Sequence, residues 1–315
     1  MRPCIHALAL LAVTVALASC GGSEANDGNG TVTLRVTRDF GRELLLSEER
    51  APLPDRATVL RVLREHADVE LGFRGYGIEA IDGLRYSDGV DGSRETTWAL
   101  NVNGIEADVP PREYPLHPGD VVQFDLRYWY VTLDVRATVG AYPQTFTRGA
   151  FGRRFPVKVE CANPRTTACR LVEQAMRRAS VATDGSRPPG PRPRRGTVRR
   201  ARILVGPWKR WRDRPWPHRI DEGTRYSGVF ARFADEGDAL RLLSRYAHVV
   251  RSAATGTGLV GAMRPTEEDL LWLVTGVDDE GVEHAARALN PDDLRDAFAV
   301  VASGEGVERI PVPPR

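Results

Sequence analysis

The four cysteines are the residues whose types and spacing could do chemistry most directly. Cys4 and Cys20 flank an apolar segment at the start of the chain, whereas Cys161 and Cys169 lie close together near its middle. A cysteine can bind metal, exchange disulfides, attack a substrate or accept a lipid. Neither pair has the CxxC spacing of redox motifs, and the set does not match a four-ligand zinc site.

The first part of the chain has the organisation of an export signal. Arg2 supplies a positive start, residues 5–17 are almost entirely apolar, and small residues precede Cys20. The apolar run is shorter than the roughly 20 residues that a membrane-spanning helix needs. The ending Leu-Ala-Ser-Cys resembles the lipobox of bacterial lipoproteins, whose cysteine becomes the lipidated first residue. We therefore predict a signal peptide over residues 1–19 and lipidation of Cys20, with an ordinary cleaved signal peptide as the alternative.

The residues that follow are expected to tether a folded protein to a membrane. Residues 20–30 are small, polar and rich in glycine, which predicts a flexible segment. Lipid on Cys20 would fasten the chain to a lipid bilayer outside the cytoplasm, and stable anchoring requires more than one acyl chain. In such an oxidising compartment, Cys161 and Cys169 are expected to form a disulfide, with a metal or redox pair as the alternative.

Composition limits the remaining classes of function. A chain of 315 residues with 42% hydrophobic residues is long enough for two domains with real cores. Its net charge of +2 gives no overall field for nucleic acid, so no nucleic-acid partner is expected. The sequence contains neither Gly-x-Ser-x-Gly nor His-Glu-x-x-His. We predict a protein that is not an enzyme, with a hydrolase as the alternative.

Residues 31–132 are predicted to form a small α+β domain. Alternating apolar and polar residues indicate strands, and one segment has apolar residues at helical spacing. A hairpin turn is expected at Asn103 and Gly104. The predicted strands cover residues 31–37, 42–47, 98–102 and 121–126, and the predicted helix covers residues 58–67.

Part of this domain resembles a known family. The stretch TWALNVNG over residues 97–104 and the turn Pro118-Gly119-Asp120 carry the resemblance, together with the opening strand and the helix start at Thr58. Over residues 31–129 the chain resembles the DUF4430 family, also described as transcobalamin-like C-terminal domains. The resemblance implies a β-grasp-type fold.

The same resemblance implies a ligand surface. In the vitamin B12 carriers, the related domain forms one side of a clamp around cobalamin, and a helical barrel forms the other. The rest of this chain does not resemble such a barrel. Cobalamin is therefore implied as a ligand by the resemblance alone. No cofactor is expected. The implied binding residues are Trp98, Asn101, Asn103 and Tyr128. The alternative is that the tryptophan fills the core and the Asn-Gly pair only makes the turn.

The second half is predicted to be a layered α/β domain with a mixed sheet over residues 151–315, joined to the first by residues 133–150. The Gly256-x-Gly258-x-x-Gly261 motif matches a dinucleotide fingerprint in letters, but no helix is expected after it. The predicted strands cover residues 155–161, 203–205, 228–233, 258–263, 270–274, 298–301 and 310–312, and the predicted helices cover residues 166–179, 238–250 and 281–289, with another beginning at Asn290.

Two surfaces of this half could contact a partner. Residues 186–202 hold four prolines and seven arginines, so we expect an exposed loop. It could contact anionic lipid or a cell-envelope polymer, and the alternative is a solvated loop. Trp208, Trp211 and Trp216 lie near basic residues and could stack on a flat ligand, although core packing is the alternative.

Together these features predict a membrane-tethered extracytoplasmic lipoprotein that binds a small molecule. A structural or interaction protein of the cell envelope, without a small-molecule ligand, is the alternative.

Overall fold

The computed structural model describes residues 30–90, 94–130, 135–193 and 196–314. The predicted signal peptide and Cys20 lie outside the described residues, as does the predicted tether except for Gly30. Within the described ranges, no helix is long and apolar enough to cross a membrane. The architecture is α+β, as predicted, and rests on two large mixed sheets.

A five-stranded sheet organises the first half, in the order β2-β1-β8-β6-β7. Its central strands β1 and β8 are parallel, and the other neighbours are antiparallel. This order, with a helix between the first hairpin and the later strands, is the predicted β-grasp arrangement. The elements are β1 (Thr31–Arg38), β2 (Glu43–Pro52), α1 (Val59–His66), β3 (Val69–Gly72), β4 (Gly77–Ile81), β5 (Leu84–Arg85), β6 (Thr96–Val102), β7 (Ile105–Glu106), β8 (Val121–Tyr128) and α2 (Gln144–Thr147).

Helix α1 covers one face of this sheet. Thr58 begins the helix because its hydroxyl accepts a hydrogen bond from the backbone N–H of Arg61 at 3.4 Å. The helix buries Val59, Leu60, Val62 and Leu63, and these pack against the apolar side chains of the sheet. The predictions of this helix and of the four strands are confirmed.

A six-stranded mixed sheet organises the second half, in the order β17-β16-β14-β15-β10-β9. Strand β10 is parallel to both neighbours, and the other pairs are antiparallel. The elements are β9 (Val157–Cys161), α3 (Thr167–Arg178), β10 (Arg200–Pro207), α4 (Arg219–Glu222), α5 (Thr224–Ser227), β11 (Ala231–Phe233), β12 (Leu240–Leu243), β13 (Val249–Ala253), β14 (Gly258–Met263), β15 (Asp269–Gly276), α6 (Asp279–Arg287), α7 (Pro291–Leu294), β16 (Ala299–Ser303) and β17 (Gly306–Ile310).

The layers of this half are also as predicted. Helices α3 and α6 cover one face of the sheet, and the small antiparallel sheet β11-β12-β13 packs with the other. Asp278 and Asn290 cap α6 and α7 with their side chains, which confirms both predicted helix starts.

One predicted helix is wrong. Residues 238–250 form β12, a turn and the start of β13 rather than an amphipathic helix. Leu240, Leu242 and Leu243 are all buried because a register shift lies between the last two, so both point into the core. A bulged strand therefore reproduces an apolar spacing that also fits a helix. The strand predicted over residues 310–312 is displaced as well, because β17 ends at Ile310.

The Gly256 motif has the surroundings expected for a loop. Strand β13 precedes it, not the helix that we predicted, and β14 begins at Gly258. Because Gly258 and Gly261 lie inside this strand, no helix N-terminus is available to hold a pyrophosphate there.

Candidate ligand site between the two halves

The turn between β1 and β2 connects the first half to the second. Asp39, Phe40 and Gly41 all have left-handed backbone angles. The buried carboxylate of Asp125 on β8 holds this turn, since it accepts hydrogen bonds from the backbone N–H of Phe40 at 3.1 Å and of Gly41 at 2.9 Å. A side chain at Gly41 would meet the carbonyl oxygen of Asp296 at 1.9 Å, so only glycine fits this approach.

Phe40 anchors the turn in the core of the second half. Its ring centroid lies 4.6 Å from that of Phe230 and 5.3 Å from that of Phe298, both in edge-to-face geometry. Aromatic pairs at such distances are attractive in addition to the area that they bury. The anchored turn fixes Asp39 at the boundary between the halves.

A cavity of about 380 Å³ lies beside this turn. Both halves contribute, because Arg245 and Tyr246 follow β12 whereas the other residues belong to the first half. Four arginines and two carboxylates line it, so its wall carries more positive than negative charge. The lining comprises Arg38, Asp39, Glu43, Arg94, Thr96, Leu126, Arg127, Tyr128, Arg245 and Tyr246.

Arginine and tyrosine side chains stack in this cavity. The guanidinium carbon of Arg94 lies 4.1 Å from the ring centroid of Tyr246 and 5.8 Å from that of Tyr128. The two tyrosine rings contact each other edge to face at 5.3 Å. Arg245 forms an ion pair with Asp39 at 2.9 Å, whereas Arg94 forms none with the described residues. The cavity therefore offers a cation on an aromatic surface, which suits an anionic ligand with a flat group.

The buried groups Asp125 and Arg127 lie behind the cavity and interact with each other. Arg127 donates to the carbonyl oxygen of Val135 at 3.3 Å, and its Nε and Nη1 atoms have no partner among the described residues. Burial raises the pKa of Asp125, and the charge of Arg127 opposes that rise. Burial likewise raises the pKa of Glu106, whose carboxylate lies 3.9 Å from Arg127.

The structure does not bring the four predicted ligand-binding residues to one face. Tyr128 lines the cavity between the halves, whereas Trp98 lies in a separate groove of about 270 Å³. Asn101 and Trp98 are three positions apart on β6, and alternation sends their side chains to opposite faces of the sheet. Tyr76 and Trp129 line the Trp98 groove as well.

Both asparagines are buried. Asn103 is a structural turn residue: its amide donates to Asp120 at 2.8 Å and to the Gly149 carbonyl at 3.0 Å, and its oxygen accepts from Val121 N–H at 2.8 Å. Asn101 is buried on the face that packs toward the second half. The contacts of Asn103 therefore confirm the expected turn at this residue.

The cysteine pair of the second half forms the predicted disulfide. Cys161 ends β9 and Cys169 lies in the first turn of α3, with their Cα atoms 5.9 Å apart. The bond therefore fastens the helix to the edge strand of the sheet. The alternative of a metal or redox pair is not needed to explain this spacing.

The structure divides the predicted tryptophan cluster. Trp208 and Trp211 are buried in the core, and Trp208 stacks on Phe233 with centroids 4.6 Å apart. Trp216 is only half-buried. Within the described ranges, His, Cys, Asp and Glu side chains form no group of three or more that could hold a metal ion.

Sequence reasoning missed Arg94, Arg245 and Tyr246. Arg245 and Tyr246 were assigned to a helix over residues 238–250, whereas the structure has a turn between β12 and β13 at these residues. A sequence signal exists for Arg245 and Tyr246, because polar and aromatic residues follow the leucine-rich strand from Ser244 onward, as is typical of a turn. The Ser244 hydroxyl accepts a hydrogen bond from the Tyr246 N–H at 3.3 Å.

The comparisons with known proteins concern mainly the first half. No curated protein matches the chain. A solved structure from Ruminococcus gnavus, described as that of a suspected metal binding protein, is 19% identical over 32% of this chain and 99% of its own, with a TM-score of 0.26. That score is too low to support an argument about fold or ligand. Residues 57–127 match the family described as Domain of unknown function (DUF4430), so this segment is similar to the family that the sequence predicted.

Proposed function

We propose that this chain is an exported, lipid-anchored protein that binds a small anionic ligand, without converting it, in the cavity between its halves. The observation that carries the proposal is the stack of Arg94 on Tyr246 and Tyr128 in a wall with surplus positive charge. A guanidinium that lacks a carboxylate partner gains most from an anion that binds beside it.

The neighbouring arginines support the same chemistry. Arg38 pairs with Glu43, and Arg245 pairs with Asp39. The two carboxylates of the cavity are therefore taken up by other arginines and do not neutralise Arg94. A ligand with a phosphate or carboxylate could contact Arg94 while its flat part rests on the tyrosine rings.

The cavity volume bears on the size of the ligand. Pockets for drug-sized molecules occupy roughly 300–1,000 Å³, and this cavity of about 380 Å³ lies near the lower limit. A cobamide is much larger than such ligands, so the volume favours a smaller anion. The cobamide stays the ligand implied by resemblance alone.

Export and anchoring rest on the start of the sequence. Arg2, the apolar run and the Leu-Ala-Ser-Cys ending support lipidation of Cys20. The disulfide between Cys161 and Cys169 is the kind of bond that persists outside the cytoplasm, which supports the same location.

One observation favours the alternative, an interaction protein of the cell envelope. Tyr76, Trp129 and Tyr130 are 54%, 44% and 70% exposed near the Trp98 groove. Exposed aromatic residues are enriched where proteins contact partners. In this alternative the groove, rather than the cavity between the halves, is the functional surface.

Calorimetric titration of the soluble protein from Gly21 tests ligand binding. We expect heat with phenyl phosphate, little with the uncharged benzyl alcohol, and loss of the heat in Arg94→Gln. Arg287→Gln is the control, since Arg287 is exposed on α6 and pairs with Glu283. Equal binding by Arg94→Gln and Arg287→Gln would contradict the proposed site. Heat with cobalamin but not with phenyl phosphate would identify a cobamide as the ligand instead.

Labelling with radioactive palmitate tests the anchor independently. We expect label in the wild type and in Cys4→Ser, and none in Cys20→Ser. Label that persists in Cys20→Ser would refute lipidation at this cysteine and leave the ligand proposal untouched.

A further inference from the structure

Another cavity lies on the six-stranded sheet and is separate from the cavity between the halves. It measures about 650 Å³ and lies over the start of β10, beside β9 and β15. Its lining comprises Pro156, Lys158, Gly185, Arg199, Arg200, Ala201, Arg202, Trp216, Glu268 and Asp269. These residues form the basic groove.

The floor of the basic groove is an uncovered part of a sheet face. Arg202 is opposite Lys158 on β9, and Arg200 is opposite Asp269 on β15. Alternation along β10 places Arg200 and Arg202 on the same face as Leu204, which is buried in the core beneath the small sheet. The small sheet thus covers one end of this face, and the basic groove occupies the other end.

Trp216 forms the rim of the basic groove with an unusual backbone. Its φ angle is +80°, in the left-handed region that bulky residues rarely adopt. Trp208 and Trp211 are buried in the core, whereas the half-buried Trp216 packs at the edge of that core and lines the groove. Arg219 lies 4.9 Å from its ring centroid. Strained backbone conformations cluster at binding sites, because folding alone rarely favours them.

The charge of the basic groove is positive. Lys158, Arg199, Arg200 and Arg202 outnumber Glu268 and Asp269. Arg199 pairs with Glu268 at 3.1 Å, Arg200 pairs with Asp269, and Arg202 pairs with Glu160 at 2.9 Å. Lys158 forms no ion pair with the described residues, so it is the cation that an anion meets without a competitor. The Arg199–Glu268 pair is exposed on both sides and contributes little, so an incoming anion can also compete for Arg199.

The described start of the loop rich in proline and arginine, residues 186–193, adds positive charge outside the basic groove. Residues 183–185 run beside β9, because Val159 N–H donates to the Thr183 carbonyl at 3.0 Å and Gly185 N–H donates to the Val157 carbonyl at 2.9 Å. The loop therefore leaves from the edge of the groove, and its Arg187 and Arg192 are exposed. Cations that lie outside the cavity as well as in it suit a polymer better than a small anion.

We propose that the basic groove, together with residues 183–193 beside it, binds an anionic polysaccharide. The Trp216 ring can stack on the apolar face of a sugar ring, and the cations can contact carboxylate or phosphate groups along the polymer. The inference goes beyond the proposed small-ligand function, because the two cavities share no lining residue.

Affinity measurements with defined polymers test the inference. The probes are polygalacturonate, which carries carboxylates, dextran phosphate, which carries phosphates, and uncharged dextran. We expect at least one charged polymer to bind with an affinity that falls as salt rises, and dextran not to bind. Whichever charged polymer binds more tightly identifies the anionic group.

Variants then locate the binding. Trp216→Gly removes the indole and fits the left-handed backbone, so we expect it to fold and to bind roughly tenfold more weakly. Lys158→Gln should also weaken binding. Lys209→Gln is the matched control, because Lys209 is the other lysine of the chain and lies past the opposite end of β10.

Three results would overturn the inference. They are unchanged binding by Trp216→Gly, equal binding of dextran and the charged polymers, and equal losses in Lys158→Gln and Lys209→Gln. Binding to vesicles that contain phosphatidylglycerol, without binding to either charged polymer, would assign the surface to a membrane instead.

Discussion

The two faces of the five-stranded sheet are both buried, but by different chemistry. Val32, Leu34 and Val36 on one face of β1 pack against α1 in an apolar core. Arg35 and Thr37 on the other face are equally buried, against the second half. Alternation along β1 identifies the apolar face correctly, but it does not show that the polar face is buried as well.

Buried polar groups need partners, and strand β2, the β1–β2 turn and the second half supply several of them here. Asp125 accepts from the turn, and Arg35 lies 3.7 Å from Asp296. Phe40, in the turn at the end of this polar face, is apolar and packs in the core of the second half. The cavity between the halves lies where this polar face ends, which explains why arginines and tyrosines line it together.

Removal of the Phe40 ring is expected to be the most damaging change. Phe40→Ala should lower the free energy of unfolding by about 3–5 kcal/mol, because it leaves a void between Phe230 and Phe298. Urea unfolding measures this loss. Leu44→Ala on the same hairpin is the control, since Leu44 is exposed and should change stability by less than about 0.5 kcal/mol. Similar losses in both variants would mean that Phe40 does not join the halves.

Loss of one hydroxyl tests the polar face itself. The Thr37 hydroxyl donates to Asp125 at 2.7 Å, so Thr37→Val should lower the free energy of unfolding by about 1–3 kcal/mol. Thr33→Val is the matched control, because the Thr33 hydroxyl lies at an exposed position and bonds to the Glu49 carbonyl. If Thr33→Val proved the more damaging of the two, the polar face would not be the buried network described here.

The pH dependence of stability tests the buried carboxylate. Burial raises the pKa of Asp125, so above the ordinary aspartate pKa the folded state holds a proton that the unfolded state has lost. Stability of the wild type should therefore fall as pH rises through this window, while Asp125→Asn lacks this contribution. Urea unfolding between roughly pH 4 and pH 7 should show the wild type losing stability relative to the variant. A relative gain with rising pH would contradict a raised pKa.

The smallest effect on stability is expected at the cavity. Arg94 is exposed and forms no ion pair with the described residues, so Arg94→Gln should change the free energy of unfolding by less than about 0.5 kcal/mol. Its effect should be confined to binding of phenyl phosphate. A variant that unfolded readily would make Arg94 part of the fold rather than of a site.

Local patterns predicted much of this fold. Thr58 before an apolar helical pattern, Asn103-Gly104 between two strands, and Asp278 and Asn290 at helix starts each have a short-range physical cause. The disulfide could also be predicted, because the predicted export signal implies an oxidising compartment in which two nearby cysteines pair.

The failures come from long-range packing. The bulge at Leu242 and Leu243 is decided by the core beneath the small sheet, and nothing in the neighbouring sequence distinguishes it from a helix. The cavity unites Arg94 with Arg245 and Tyr246 across the boundary between the halves, so no local spacing relates them. The burial of Arg35 and Asp125 depends on the second half in the same way.

Nuclear magnetic resonance of arginine Nε–H groups tests the central claim most directly, because it reports on individual side chains. On addition of phenyl phosphate, the signals of Arg94 and Arg245 should shift with one dissociation constant, while that of Arg287 should not move. Shifts confined to Arg200 and Arg202, or no shift at all, would contradict a ligand site between the two halves.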